Sequence, residues 1–193
     1  MMRVIVSIVV VVLSGAPRSA ATTVRAISFE DLVAKSETII RGEAVAVTSQ
    51  LRDRSPDAPI VTRVTIRVLK TLKGSPSPQV DLEFLGGSYG GRTLALSDMP
   101  RFEVGDKAFL FINAVGRPMS PLVGFFAGRW PICVDAFTRR EYVTTFDGRA
   151  LSSVHILDNR AAASLDGLRP LGSAALSPSE AEIQIRNQVA VGR

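Results

Sequence analysis

The sequence predicts a mostly β domain with one short helix near its start and another at its end. Three observations predict it. Two stretches alternate with a period of two. Val64, Ile66 and Val68 face one way against Arg63, Thr65 and Arg67, and Val80, Leu82 and Phe84 alternate with Asp81, Glu83 and Leu85. That pattern is a strand with one wet face. Next, Ala108–Ile112 is a short unbroken apolar run that follows a turn signal, which reads as a strand buried on both sides. Finally, strands do not alternate with long helices, which argues against a doubly wound α/β fold.

The first twenty-odd residues read as an export signal. Arg3 supplies a positive start, Val4–Leu13 an apolar run interrupted by Ser7, and Gly15 and Pro17 a break. Ser19-Ala20-Ala21 then places small residues at a cleavage site, between Ala21 and Thr22. This ten-residue stretch is half of the ~20 that a spanning helix needs. Removing the first 21 of 193 residues leaves 172, which suits one domain with its own core. No later segment is apolar enough to span a membrane.

The elements follow in order. Ser28 caps a short helix over 28–36, with Asp31 three residues on and Phe29, Leu32 and Val33 on one face. Thr38–Val47 is strand-like, with Gly42 as a bulge position. Residues 48–59 form a polar loop. Ile60–Leu69 is the clearest strand. It ends at Lys73-Gly74, and Ser75-Pro76-Ser77-Pro78 makes a stiff turn. Val80–Leu85 enters the glycine-rich loop Gly86-Gly87-Ser88-Tyr89-Gly90-Gly91, expected to be mobile because ordering glycine is entropically costly. A short apolar segment, Leu94–Leu96, precedes Pro100. Phe102–Asp106 turns into the buried strand. Leu122–Phe126 and Trp130–Val134 read as one strand bent at Gly128. Arg140–Thr145 and Arg149–His155 form a hairpin around Asp147-Gly148. Residues 158–176 are weakly patterned. Ser177-Pro178-Ser179-Glu180 opens the last helix, on which Ile185 and Val189 lie four apart.

This order of pieces resembles a group of bacterial exported proteins of unassigned function, some of them associated with secreted matrixin-type metalloproteases. It is also similar to the netrin-like OB barrel of tissue inhibitors of metalloproteinases. The resemblance covers roughly residues 27–134. It rests on the amphipathic helix, Glu37–Val45, the strand end Leu72-Lys73-Gly74, the glycine-rich loop, and Phe102-Glu103-Val104-Gly105-Asp106-Lys107-Ala108-Phe109-Leu110-Phe111. It implies a single OB/netrin-like antiparallel barrel. The chain departs from those inhibitors in having no cysteine near Thr22 and no disulfides, so their mode of zinc blockade does not carry over. The expected organisation is a signal peptide over 1–21, the barrel over 22–157, and an irregular segment with the C-terminal helix over 158–193.

Chemistry-bearing motifs are few. Gly86-Gly87-Ser88-Tyr89-Gly90 matches the nucleophile-elbow pattern, but that elbow needs a following helix, and Pro100 arrives too soon. A serine-hydrolase reading would pair Ser88 with His155, the only histidine, through Asp135 or Asp147. The same loop lacks the Lys-Ser/Thr ending of a phosphate-binding loop. Cys133 with His155 is a formal thiol–base pair, although Cys133 reads better as a small hydrophobe in an apolar strand. One histidine and one cysteine do not make a zinc site, and the carboxylates lack calcium-loop spacing. No metal or cofactor is therefore expected.

Charge narrows the partner. Losing Arg3 and Arg18 takes the net charge from +5 to about +3, and the basic residues are scattered rather than clustered. No nucleic-acid module or basic stripe is present. Trp130, Phe125 and Phe126 read as an aromatic cluster. Tyr89 and Arg92 flank the glycine loop and are residue types favoured at interfaces. They are the candidate contact with a protein partner outside the cytoplasm, in the periplasm or the medium. The expected function is a non-catalytic binding module, one form of it a companion or modulator of a secreted protease. The rivals are the Ser88–His155 hydrolase and an envelope structural component.

Overall fold

A computed structural model of the chain describes residues 27–97, 99–113, 119–154 and 175–192. Residues 1–26 (the expected signal peptide among them), His155 and nearly all of the weakly patterned 158–176 stretch lie outside the described residues.

The first helix, α1, spans Phe29–Lys35, with the Ser28 hydroxyl accepting from the Asp31 amide at 3.1 Å. This is the cap expected from the sequence. Lys73 donates from Nζ to the Val33 carbonyl at 2.8 Å, at the C-terminal end of α1. A lysine there satisfies a carbonyl that the helix leaves unpaired and complements its dipole. The Lys-Gly strand end thus has a local structural task.

Eight strands follow: β1 Thr38–Leu51, β2 Ile60–Lys73, β3 Gln79–Leu85, β4 Gly87–Tyr89, β5 Arg92–Leu94, β6 Lys107–Ile112, β7 Arg129–Val134 and β8 Glu141–Val143. Among the described residues, six of them form one antiparallel sheet in the order β3-β2-β1-β6-β7-β8, and β4 and β5 form a separate hairpin. The described strands make an open sheet rather than a closed barrel. One backbone link bridges its two halves. Leu85 at the end of β3 donates to Met119 at 2.9 Å, and Leu122 bridges to Ile112 at the end of β6.

β1 and β2 are longer than their apolar patterns suggest. Thr48–Leu51 belongs to β1, not to a loop, because these residues pair with Ile60–Arg63. The polar Ser49 and Thr62 side chains meet across the ladder at 3.0 Å. The ladder is kept over this length by register shifts, one at Arg41/Gly42 and another between Ala44 and Ala46. The second leaves Val45 as an extra residue, so that the inward set Ile40 and Ala44 continues at Val47 instead of Ala46. An extra residue is what resets a period-two pattern.

The alternation in β2 and β3 holds. Val64, Ile66, Leu82 and Phe84 are buried, Arg63 and Arg67 are exposed, and Val68 and Val80 pack partly buried at the margin. β6 is buried from Ala108 to Ile112. Its side chains serve two cores. Phe109 and Phe111 join α1, Trp130 and the last helix, α2 Pro178–Val191. Leu110 and Ile112 join β1, β2, β3 and Phe102. Trp130 lies 4.7 Å from Phe111 and 5.8 Å from Phe29 between ring centroids, and its indole N–H donates to Ala127. In α2, Ala181, Ile185 and Val189 are buried behind a complete capping box between Ser177 and Glu180.

Two local expectations change. Leu122–Phe126 is not a strand. After the Leu122 bridge the chain turns through Gly124 into a 3₁₀ helix over Phe125–Gly128. A side chain at Gly128 would meet the Val123 carbonyl at 2.6 Å, so the close crossing there requires glycine. The last hairpin is short: β8 continues into a Thr144–Ala150 bridge around the Asp147-Gly148 turn, and Leu151 donates to Val143 at 2.9 Å.

Candidate binding surface

The glycine-rich segment forms a β-hairpin. Gly90 and Gly91 have φ of 56° and 75°. Two successive positive-φ residues suit a two-residue hairpin turn and follow the strand twist. Ser88 pairs with Thr93 in register, and their hydroxyls meet at 2.9 Å. Tyr89 pairs with Arg92 directly across the turn, so both side chains leave the same face of the ribbon. Both are exposed. Arg92 donates from Nη1 to the Pro56 carbonyl at 2.7 Å, which fastens the hairpin to the β1–β2 connection.

The base of the hairpin is fixed to the sheet. Gly86 donates to Ile60 at 2.8 Å, and Thr62 donates to the Gly86 carbonyl at 2.7 Å. A Cβ on Gly87 would come within 2.5 Å of both Ser49 Oγ and Thr62 Oγ1. Gly87 therefore brings the hairpin backbone against the Ser49 and Thr62 hydroxyls. Between the hairpin, the sheet and the 95–103 segment lies a groove of about 440 Å³. Val47, Val64, Phe84 and Phe102 are among its apolar walls, and Ser49 and Thr62 among its polar ones.

A second cavity, about 250 Å³, shares Met99, Pro100 and Arg101 with this groove and reaches Phe126, Arg129 and Phe146. Arg129 is held by Asp106 at 2.7 Å, and its guanidinium sits 4.6 Å from the centre of the Phe102 ring. Burial pushes the Arg129 pKa down, and Asp106 opposes that. This arginine, its carboxylate and its aromatic partner escaped sequence reasoning. Asp106 was visible as a turn residue, but nothing local ties it to a residue 23 positions away.

Of the residues in the catalytic alternative, Ser88, Asp135 and Asp147 are described. Ser88 lies in β4 with its hydroxyl on Thr93, and the next element is the strand β5 rather than a helix. Its proposed base, His155, lies outside the described residues. The two candidate acids are occupied in turns. Asp135 accepts from the Phe137 and Thr138 amides and from the Thr138 hydroxyl. Asp147 accepts from Thr145 and pairs with Arg149. Burial alone would raise the Asp147 pKa, but these partners hold it below the usual carboxylate value. Cys133 is half-buried, with Sγ 4.0 Å from Thr144 Oγ1, because the far half of β7 is only partly covered. Among the described residues no cluster of His, Cys, Asp or Glu is arranged to hold a metal. No helix among them is long and apolar enough to cross a membrane.

The predicted aromatic cluster divides. Trp130 is core, whereas Phe126 packs on Phe146 with ring centroids 3.9 Å apart, and Phe125 is exposed. No protein-family model matches the sequence, and a search of the curated proteins finds no match.

Proposed function

We propose that the chain is an exported, non-catalytic binding module of OB/netrin-like type, working in the periplasm or the medium. The observation that carries this reading is the β4–β5 hairpin, which holds Tyr89 and Arg92 side by side and exposed on a ribbon anchored to the sheet. A rigid scaffold presenting an aromatic and an arginine at a tip suits partner recognition. The β1–β2–β3 meander supports kinship with a barrel, as does the return of β6 to β1 and the link from Leu85 to Met119. A companion or modulator of a secreted protease is the form the resemblance favours.

Three measurements test the reading. Mass spectrometry of the exported protein should find its N-terminus at Thr22 within a residue or two; an intact Met1 on a membrane-bound product contradicts export. Capture of partners from the producing cells' medium and envelope should weaken with the Tyr89→Ala/Arg92→Ala double variant. Unchanged recovery removes this contact. A fluorophosphonate probe should leave Ser88 unlabelled, and labelling there would revive the hydrolase.

A further inference from the structure

The smaller cavity combines an apolar wall with one positive charge that has no ion partner among the described residues. Phe126 and Phe146 form its aromatic side, and Met99 and Pro100 contribute apolar edges. Two arginines line it. Arg129 already has its counter-charge in Asp106 and is braced by the Phe102 ring. Arg101 is exposed, and among the described residues no ion pair or hydrogen bond occupies its guanidinium.

We propose that this pocket binds an apolar carboxylate, either a small organic acid or the C-terminal carboxylate of a peptide ending in an apolar residue. About 250 Å³ accommodates a group the size of one large side chain, not a folded surface. Phe126 and Phe146 receive the apolar body. Arg101 receives the carboxylate, whose two oxygens match the guanidinium fork. The fixed Arg129–Asp106–Phe102 unit keeps the wall in place before binding, so little ordering cost falls on the ligand. A cation is repelled by the net charge of this lining. Inorganic phosphate would leave the aromatic side uncovered. The pocket is distinct from the Tyr89–Arg92 tip, so it stands or falls apart from the protein-partner reading.

Calorimetric titration of the exported protein tests it. The probes are N-acetyl-phenylalanine, acetyl-Ala-Ala-Phe with a free carboxylate, and the amide of each. The carboxylates should saturate, and the amides should bind about tenfold more weakly or worse, as expected for loss of a charge-assisted hydrogen bond. Arg101→Gln should remove the same factor without moving the melting temperature, and Arg101→Lys should restore part of it. Phe146→Ala should weaken both acids together. Tighter binding of the tripeptide acid assigns the site to peptide termini. Equal or tighter binding of N-acetyl-phenylalanine assigns it to small acids. Absence of saturation by either acid below about 10 mM overturns the proposal, as does binding of amides or Arg101→Gln protein at carboxylate-like strength. Neither outcome touches partner capture by Tyr89 and Arg92.

Discussion

The two faces of the sheet are closed by different means. On one, α1 and α2 lie over Phe109, Phe111 and Trp130, and Trp130 is 1% exposed. On the other, a three-residue-per-strand hairpin and the 95–103 segment cover β1, β2 and β3, and a groove of about 440 Å³ remains beneath them. The helical side places large rings against one another. The hairpin side gives up packing for concavity. Dense packing and concavity are thus divided between faces of one sheet, and β6 joins them by sending alternate residues to each.

The largest expected effect is on the helical face. Trp130→Ala should cost ~3–5 kcal/mol, the usual range for emptying a large aromatic site. Phe102→Ala should cost less, because Phe102 sits at 9% exposure beside an existing groove whose lining can relax. Urea denaturation midpoints give the comparison, and equal losses would break it. The strand interior of the hairpin face is not soft, however. Ile66→Ala should still cost ~2–5 kcal/mol, and Thr65→Ala far less, since Thr65 only bonds Asp81 on the wet side.

An intermediate effect sharpens the comparison through pH. α2 closes the helical face and begins at the Ser177–Glu180 box. Hydrogen bonds from the Ser177 backbone and side chain lower the Glu180 pKa. A carboxylate with a depressed folded pKa adds stability above its unfolded pKa, and that stability is lost as pH falls through the folded value. Ser177→Ala should therefore lower stability at neutral pH, and the gap to wild type should shrink as pH falls below the ordinary glutamate range. Asp147 titrates in the same direction in both proteins, so the difference between their thermal melts is what to read. A gap independent of pH would detach the cap from the stability of this face.

Much of the fold was legible because the signals were local. Ser28 and Ser177 caps, the period of β2 and β3 and the apolar run of β6 each depend on neighbours in sequence. Strand lengths were not legible. Thr48, Ser49 and Gln50 are polar, and the place of Thr48–Leu51 in β1 comes from pairing with Ile60–Arg63. The glycine segment misled for a related reason. Four glycines suggest freedom, yet here they supply the turn at Gly90-Gly91 and the close approach of Gly87 to Ser49 and Thr62. Tyr89 and Arg92 were found as exposed neighbours of that segment. The Arg101 pocket was not, because Met99–Arg101, Arg129 and Phe146 converge only after the sheet has formed.

The smallest expected effect is at the hairpin tip. Arg92 bonds the Pro56 carbonyl at 2.7 Å, but both partners are exposed. Water can replace either one, so Arg92→Ala should change stability by no more than about 0.5 kcal/mol. The hairpin should remain in place, because Gly86 and Thr62 hold its base independently of Arg92. Amide hydrogen exchange separates these two anchors. Faster exchange confined to residues 89–92 means that the Pro56 bond steadies only the tip. Faster exchange spreading into β3 and the 95–103 segment would mean that one exposed bond closes the hairpin face, and that its packing is weaker than the buried Phe84–Phe102 contact suggests.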